Sequence, residues 1–499
     1  MNRLLLPQGL GWLPELFAIL GAFALCVHFL FLPPLIGMGD NGDFIRPMKK
    51  VGLAYAHPPE NRQFLFFGYF HHLYRYKNHS DNYHHTSTLV PVVALAVFLN
   101  KILTRDGFFD IRWLSGLYTL LFLGAVALFM RALRPLGSAV RWTGAFFFLF
   151  IFADVGYLAY FNSLYGEPLA YLSFLYILLC AWHLLHQAKP SLWPLLGYLL
   201  AVVFLVGSKL QYTPAVFAFT LMIGLFAYLR PDSRAFRSTA ILGIVATLLL
   251  AGFFFVKGPA WLKRLHLYQS VFYGILLNSP DVKADLQTLG LDPKLAVNAG
   301  YHFFRPAPIP QQSKEMQQQF FSRVGRWDVV RFYLQKPRRL FAQMGAAATR
   351  AFTIRPLYLG NYEPSAGKPY GAQCTQWALW SDVKRFVIPN HWVTLASVFG
   401  TFALVNLFFF VRAWKSSDRR QGLVAIFWLV VVTNSLLQWI VPFVADGFAD
   451  FEKHMFLFNA SFDALVVVSL LFLVEKLAKT VIPLHNRLRA LLQPTRPGV

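Results

Sequence analysis

Long apolar runs alternate with short polar segments along most of the chain. Apolar runs of about 17 to 24 residues can cross about 30 Å of hydrocarbon as α-helices. About ten such runs occur, near residues 14–36, 114–133, 142–161, 168–185, 193–208, 212–229, 239–256, 391–411, 423–444 and 455–475. This pattern predicts an all-α polytopic membrane protein.

A further run, Thr88–Thr104, is only marginally long and contains Pro91, Asn100 and Lys101. It could span the membrane as an eleventh helix or lie in the interface. If the N-terminus is cytoplasmic, residues 38–113 are external and this run does not span. If the run does span, the N-terminus is external and residues 38–87 are cytoplasmic.

Lysine and arginine cluster in alternate loops. Four basic segments follow apolar runs, at Arg131–Arg141, Arg230–Arg237, Arg412–Arg420 and Lys476–Arg489. The positive-inside rule assigns all four to the cytoplasm and the intervening loops to the outside. We therefore expect a multi-pass protein of the inner (cytoplasmic) membrane whose large loops are external.

Loop lengths divide the chain into three parts. Residues 1–256 form an N-terminal membrane module that includes the first external loop, 38–113. Residues 257–390 form a periplasmic or extracellular domain with a helical-looking stretch around Gln311–Ala347, and it could serve as a specificity domain or a lid. Residues 391–499 form the C-terminal membrane helices and a cytoplasmic tail.

Composition agrees with a lipid-embedded chain. Of 499 residues, 56% are hydrophobic, which soluble cores could not bury without exposing large apolar patches. The formal net charge of +23 would suggest nucleic acid in a soluble protein, but most of the basic residues lie where they orient helices. We expect contact with membrane lipids and none with nucleic acid.

Two carboxylates follow the first apolar run directly. The segment Gly37–Phe44 holds Asp40 and Asp43 in a glycine-bracketed turn at the membrane surface. Such residues often do no more than end a helix, but two carboxylates can also accept a proton or bind a metal ion. Arg46 and Lys49 follow at once, which suits a site for an anionic substrate and equally suits a lipid headgroup.

Two further polar segments belong to the same expected face. Phe161–Pro168 contains Asn162, Tyr165 and Glu167, and Glu167 could be catalytic or could simply cap the next helix. Lys209 and Gln211 lie between two long apolar runs, where an ionisable group is costly. Lys209 is a candidate phosphate ligand, with a snorkelling interfacial lysine as the alternative.

The last external loop, Asp446–His454, ends in Glu452, Lys453 and His454, and Asn459 and Asp463 continue into the final apolar run. Asn459 and Asp463 could make a polar contact inside the helix bundle. The external domain also contains aromatic side chains, including Trp261 and Tyr273. These suit sugar stacking, although an interfacial aromatic belt has the same composition.

A metal ion is the one cofactor that the sequence leaves open. The first external loop contains six histidines, His57, His71, His72, His79, His84 and His85, with Glu60 and Asp81 among them. They lack a recognised ligand spacing for zinc. No metal ligand is assigned, and a divalent metal ion remains an open alternative.

The order of these features resembles the membrane-embedded glycosyltransferases of the GT-C fold over roughly the first 210 residues. The strings Gly-Asp-Asn-Gly-Asp-Phe, Phe-Asn-Ser-Leu-Tyr-Gly-Glu-Pro and Asp-Phe-Glu-Lys-His are similar to those of bacterial hexose transferases of surface-glycan assembly. The resemblance implies a polyprenyl-phosphate sugar donor, a catalytic Asp after helix one, matched by Asp40 or Asp43, and a second acid, matched by Glu167. A clear Asp-x-Asp in the second external loop is lacking, so metal dependence stays undecided.

We therefore predict an inverting hexosyl transferase that moves a sugar from a polyprenyl-phosphate donor to a glycan or lipid-linked acceptor on the external face. Asp40 or Asp43 would act as general base and Glu167 would assist it. The candidate substrate-binding residues are Arg46, Lys49, Asn162, Tyr165, Lys209, Gln211, Glu452, Lys453 and His454. The alternatives are a lipid-linked-glycan transporter or flippase, which needs access from both faces, and a non-catalytic scaffold.

Overall fold

The computed structural model describes residues 11–58, 61–79 and 85–492. Glu60, Asp81 and His84, which belong to the zinc hypothesis, lie outside the described residues. In chain order the helices are α1 (Leu13–Leu30), α2 (Ile45–Val51), α3 (Leu89–Leu103), α4 (Arg112–Leu133), α5 (Ser138–Phe147), α6 (Val155–Leu158), α7 (Glu167–His186), α8 (Leu192–Ser208), α9 (Ala215–Phe226), α10 (Arg234–Lys257), α11 (Ala260–Ser270), α12 (Val282–Thr288), α13 (Lys314–Met316), α14 (Arg326–Gln335), α15 (Pro337–Ala348), α16 (Leu379–Asp382), α17 (Trp392–Lys415), α18 (Arg419–Asp446), α19 (Phe451–His454) and α20 (Phe456–Leu492).

The apolar runs fold as membrane-length helices, so the predicted all-α polytopic class is confirmed. Within the described residues, seven helices are long and apolar enough to span a membrane: α1, α4, α7, α10, α17, α18 and α20. An eighth candidate is the pair 138–152 and 155–161, which bends by 50° at Asp154. With the shorter helices α8 and α9, these elements coincide with the predicted runs.

The first helix ends earlier than its apolar run. The run continues to residue 36, but α1 ends at Leu30 and is followed by Pro33 and Pro34. Proline has no backbone N–H to donate and its ring clashes with the preceding turn, so it cannot continue a helix. The chain after α1 is therefore non-helical when it reaches the turn that holds Asp40 and Asp43.

The first external loop contains a small antiparallel sheet that the sequence pattern did not predict. Its strands are β1 (Leu53–Tyr55), β2 (Leu73–Tyr76) and β3 (Phe108–Asp110), in the order β1-β2-β3. The strands are only three or four residues long, too short to give a clear period of two.

Helix α3 starts and finishes at the same end of the helix bundle. At its start, Thr88 N donates to Gly207 O at the end of α8, at 2.9 Å. Near its finish, the Asn100 amide donates to Phe108 O at 2.8 Å and accepts from Asp110 N at 2.9 Å, just before α4 begins. The structure therefore favours an interfacial helix over an eleventh span.

The basic segments meet at the opposite end of the bundle. Glu15, at the start of α1, pairs with Arg134 and Arg141. Arg420, at the start of α18, donates to Ala188 O at 3.0 Å, just after α7 ends. Arg230 donates to Pro190 O at 2.9 Å in the same segment. The clustering of basic loops on one side thus follows from the packing as well as from the sequence.

Residues 257–390, the predicted external domain, are joined to the membrane helices by buried polar contacts. Lys384 Nζ donates to Asp463 Oδ1 on α20 at 2.7 Å, and both side chains have no exposed area. Tyr157 donates its hydroxyl to the other oxygen of Asp463. Asn459 donates to Ala351 O at 2.8 Å, so the polar residues of α20 make the contact inside the bundle that the sequence suggested.

Lys384→Met is expected to destabilise the protein by about 3–5 kcal/mol, because it leaves the buried Asp463 charge without its cation. Lys384→Met/Asp463→Asn should recover most of the loss, since it removes both charges and keeps an acceptor for Tyr157. Thermal unfolding of the purified full chain in detergent measures both effects. Lys283→Met, on the domain surface, is the matched control; equal losses in all three variants would contradict this account.

Candidate active site

The polar motifs of the external loops surround one large cavity. The cavity has a volume of about 1260 Å³, larger than the roughly 300–1,000 Å³ of most ligand pockets. It lies between the first external loop, the ends of α8, α9, α10 and α18, and the external domain. The predicted site residues that line it are Asp43, Arg46, Tyr165, Glu167, Lys209, Gln211 and His454. Segments far apart in the chain therefore form a single site.

Asp43 is the acid of the first motif that lines the cavity. Arg46 Nη2 donates to its Oδ1 at 2.8 Å, and Lys453 Nζ donates to its Oδ2. Burial by itself would raise the pKa of Asp43, but Arg46, Lys453 and Lys209 hold it well below its usual value. Asp43 is therefore ionised throughout the physiological pH range.

Asp40 has a different position from Asp43. It is 2% exposed and is not among the residues that line the cavity. Its carboxylate accepts from Gly42 N at 2.7 Å, from Phe44 N at 3.1 Å and from the Tyr55 hydroxyl at 2.6 Å. Burial raises the pKa of Asp40 to about 6 despite these bonds. Asp40 shapes the turn that presents Asp43, which is the turn-forming alternative considered for this motif.

Glu167 and Lys209 form an ion pair in the same cavity. Lys209 Nζ donates to Glu167 Oε1 at 2.8 Å, and Glu167 is only 1% exposed. Glu167 is the first residue of α7 and Lys209 directly follows the end of α8, and the two helix ends approach each other at Gly166. A Cβ on Gly166 would lie 2.6 Å from Ser208 O, so only glycine permits this approach. Burial lowers the pKa of Lys209, although Glu167 opposes the shift.

His454 connects the last loop to this ion pair. Its Nδ1 lies 3.3 Å from Lys209 Nζ and beside the Gln211 side chain, and Gln211 Nε2 donates to His454 O at 3.1 Å. Its Nε2 lies 3.2 Å from Asp446 Oδ2. Burial, assisted by Lys209 and Lys453, lowers the pKa of His454 well below its usual value. The neutral ring can therefore donate to Asp446 and accept from Lys209.

Tyr165 holds the first and last loops against each other. Its hydroxyl donates to Gly39 O at 2.8 Å and accepts from Asn41 N at 2.9 Å. Lys453 Nζ lies 4.3 Å from the centre of its ring, within the range of a cation–π contact. Tyr165 thereby contacts both the turn that carries Asp43 and the side chain of Lys453, and so keeps these two ion-pair partners close together.

Four predicted substrate-binding residues do not line the cavity. Asn162 is fully buried, and its amide donates to Leu30 O at 3.1 Å and to Ile36 O at 2.8 Å. Lys49 and Glu452 are half-buried and do not line the cavity. Lys453 also does not line the cavity directly but reaches the site through Asp43.

The lining residues that were not among the predicted site residues include Trp261, His266, Arg326 and Asp446. Arg46 stacks over Trp261 at 5.6 Å from the ring centre. Arg326 lies in α14 and stacks over Phe255 at 5.7 Å. The sequence gives no signal for Arg326 because it is one of many basic residues in the external domain. Asp446 was visible as the first acid of the last loop.

The residues present do not fit a bound divalent metal ion. Among the residues that the structure describes, no group of three His, Cys, Asp or Glu side chains is arranged to hold one. Asp43 and Glu167 are each already paired with a cation, and those cations would repel a metal ion placed beside them. The site therefore neutralises Asp43 and Glu167 with Lys and Arg side chains.

The cavity continues from this polar end into an apolar arm between α8, α9, α10 and α18. Its walls include Val206, Val216, Phe217, Leu248, Phe254, Phe255 and Val441. Phe217 is 71% exposed, Leu248 40% and Phe255 47%, although all three lie on apolar helices. Exposed apolar side chains on a membrane-spanning helix face lipid. We therefore expect this arm to border the hydrocarbon of the membrane.

Comparison with known proteins gives one match. The family described as the YfdI N-terminal transmembrane domain matches residues 6–487, nearly the whole chain. No match was found among curated proteins or among solved structures. The match agrees with a multi-pass membrane protein, which the helices of this structure also indicate.

Proposed function

The chain belongs to the YfdI N-terminal transmembrane domain family, and we propose that it is a membrane glycosyltransferase that uses a polyprenyl-phosphate hexose as donor. One observation carries this proposal. A polar site that holds Asp43, Glu167 and several cations continues into an arm lined by the apolar side chains of membrane-length helices. A lipid-linked anionic sugar has the matching parts in the same order: a long apolar chain, a phosphate and a sugar.

The phosphate of the donor would lie between Arg46 and Lys209. Both cations line the cavity where the apolar arm begins, and guanidinium and ammonium groups are the usual protein ligands of phosphate. Glu167 holds the Lys209 ammonium in position from behind, and His454 packs beside it. These fixed cations would stabilise the charge that grows on the phosphate as it leaves, which lowers the barrier rather than only tightening binding.

Asp43 would act as the general base. Its low pKa makes it a weak base while Arg46 and Lys453 are both directed at it. A bound phosphate would share the charge of Arg46 and so raise the basicity of Asp43 when the donor is present. The acceptor hydroxyl also becomes more acidic as its oxygen bonds to carbon, so a carboxylate suffices.

In the proposed reaction, the acceptor oxygen attacks the anomeric carbon from the side opposite the phosphate. The bond from the anomeric carbon to the phosphate oxygen breaks, and its electron pair leaves with polyprenyl phosphate. The hydroxyl proton passes to Asp43. Attack from the opposite side inverts the anomeric centre.

The transferase is tested directly with the full chain in lipid nanodiscs. Synthetic polyprenyl-phosphate glucose, galactose and mannose, each labelled in the sugar, are offered separately as donors with a panel of glycan and lipid-linked acceptors. We expect one donor to lose its sugar to an acceptor and release polyprenyl phosphate. Failure of all three donors with every acceptor would overturn the proposal for hexosyl transfer.

A transporter would need the polar site to open toward both faces of the membrane. The charged side chains of this cavity instead gather at the end of the helix bundle opposite the basic segments.

The side of the membrane on which the cavity lies can be tested by cysteine labelling. In a background without Cys26, Cys180 and Cys374, Trp327→Cys should react with an impermeant thiol reagent on intact cells, because Trp327 lines the cavity and is 83% exposed. Lys415 is the last residue of α17 and belongs to a basic segment predicted to be cytoplasmic, so Lys415→Cys should react only after lysis. The reverse pattern would put the cavity on the cytoplasmic face and contradict an external site.

A further inference from the structure

The cavity has a second group of polar side chains next to the donor cations, where the last loop meets residues 257–390, and His454 lies between this group and Lys209. Asp446 ends α18, and its Oδ2 faces two imidazoles, His454 Nε2 at 3.2 Å and His266 Nε2 at 3.9 Å. Its other oxygen, Oδ1, is buried and has no hydrogen-bond partner among the described residues. Asp446 as a whole is 8% exposed and lines the cavity.

Arg326 contributes an unpaired hydrogen-bond donor to the same region, where Asp446 contributes an unpaired acceptor. One terminal nitrogen, Nη2, is buried and also lacks a hydrogen-bond partner within the described part of the chain. Burial lowers the pKa of Arg326, while the nearby Asp446 opposes the shift. The two side chains thus influence each other across the cavity without forming an ion pair in the described structure.

Leaving a buried acceptor and a buried donor unpaired is costly, at about 1–3 kcal/mol for each group. Two such groups of opposite kind in one cavity indicate a ligand that can both donate and accept. A hydroxyl group does both, whereas a phosphate would meet the carboxylate of Asp446 and be repelled. The region therefore suits a neutral polyhydroxyl compound better than a second anion.

Aromatic side chains border the same region. Trp327, Phe304 and Trp261 line the cavity, and they are 83%, 70% and 42% exposed. Trp327 follows Arg326 directly in α14, and Phe304 lies close to His302, which also lines the cavity. Flat apolar faces beside hydrogen-bonding groups are the usual environment of a bound sugar ring.

We propose that Asp446, His266 and Arg326, with Trp327 at the mouth, form a binding subsite for a neutral sugar, the acceptor of the transfer. This inference rests on the proposed function, which assigns the donor to the end of the cavity at Arg46 and Lys209. Asp446 accepts a hydrogen bond from one acceptor hydroxyl, and Arg326 donates to another. The subsite determines which glycan is extended, and the external domain contributes to it directly.

The test uses the full chain in nanodiscs and two separate binding measurements. The first is binding to an array of immobilised neutral and anionic oligosaccharides, and the second is binding to a long-chain polyprenyl monophosphate in the disc. Asp446→Asn and Arg326→Gln are each compared with a matched control. Asp418→Asn changes the other end of α18, where Asn caps the helix as well as Asp does. Arg323→Gln changes an exposed arginine three residues before Arg326.

The wild type is expected to bind neutral oligosaccharides, and Asp446→Asn and Arg326→Gln should each weaken that binding by about tenfold or more, because each removes a charged hydrogen-bonding group. In both site variants, binding of the polyprenyl phosphate should stay within about twofold of wild type. In the two control variants, binding of the oligosaccharides and of the polyprenyl phosphate should both stay within about twofold of wild type. Thermal unfolding of each variant separates a lost subsite from a lost fold, and Arg326→Lys, which keeps the charge, should recover part of the binding.

The inference is overturned if the wild type binds no neutral oligosaccharide, or if both site variants bind them as tightly as wild type. It is also overturned if the variants lose polyprenyl phosphate to the same extent, because the residues would then belong to the donor site. Sugar binding that depends on Asp446, in a protein that transfers no hexose, would overturn the proposed transferase alone and leave the sugar subsite standing.

Discussion

Asp43→Asn should lower the rate of sugar transfer by about 10³-fold, within the range expected for removing a general base. Asparagine keeps the size of the side chain and has one oxygen that can accept from Arg46 or from Lys453, but it cannot take a proton. The measurement is the release of polyprenyl phosphate from the labelled donor by the full chain in nanodiscs. Because Asp43 is ionised well below neutral pH, the wild-type rate should not fall through its titration between about pH 5 and 8.

A nucleophile that carries no proton distinguishes a lost base from a lost fold. Azide attacks the anomeric carbon without needing a base, so it should restore donor consumption in Asp43→Asn and give a glycosyl azide with the same inverted configuration. Asp106→Asn, an exposed acid of the same external loop, is the matched control and should keep wild-type activity. No rescue by azide in a variant that still binds the donor would argue that Asp43 acts only as an electrostatic partner.

Lys209→Met should lower kcat/KM for the donor by about 10²-fold, because a fixed cation beside the departing phosphate is lost. It should also destabilise the protein, since Glu167 is 1% exposed and would keep its charge without a partner. The two effects can be separated with the double variant Lys209→Met/Glu167→Gln. That variant removes both charges, so it should recover stability while activity stays low.

The controls for this prediction come from the same face. Lys257→Met removes an exposed lysine at the end of α10 and should change neither activity nor stability. Thermal unfolding and donor kinetics are measured on all four proteins. If activity returns together with stability in the double variant, Lys209 has only a structural role, and the phosphate must be bound elsewhere.

The comparison of Asp40 with Asp43 shows where sequence reasoning stops. Both acids occupy the same glycine-bracketed turn, three residues apart, and both were candidates for the base. Only the folded chain separates them, because the backbone of the turn closes on Asp40 while the side chain of Asp43 points to cations from other elements. The partner Lys453 is 410 positions away in the chain. No local pattern encodes such a contact.

Asn162 and Arg326 show that membership of a polar motif does not decide whether a residue lines the cavity. Asn162 belongs to a conspicuous polar motif, yet its amide nitrogen donates to backbone carbonyls at and after the end of α1 rather than facing the cavity. Arg326 belongs to no motif, yet it lines the cavity because α14 packs beside the end of α18. Residue type and spacing report what a side chain can do, whereas packing decides what it meets.

By itself, the sequence determined the membrane class, the positions of the apolar helices and the clustering of basic loops on one side. These follow from local properties, because about 20 apolar residues in succession can be stable only as a helix in lipid. The tertiary structure alone showed that both ends of α3 lie at the same end of the helix bundle, and that four distant polar segments share one cavity that continues into an apolar arm. Those features depend on contacts between residues far apart in the chain, and such contacts leave no period or composition in the sequence.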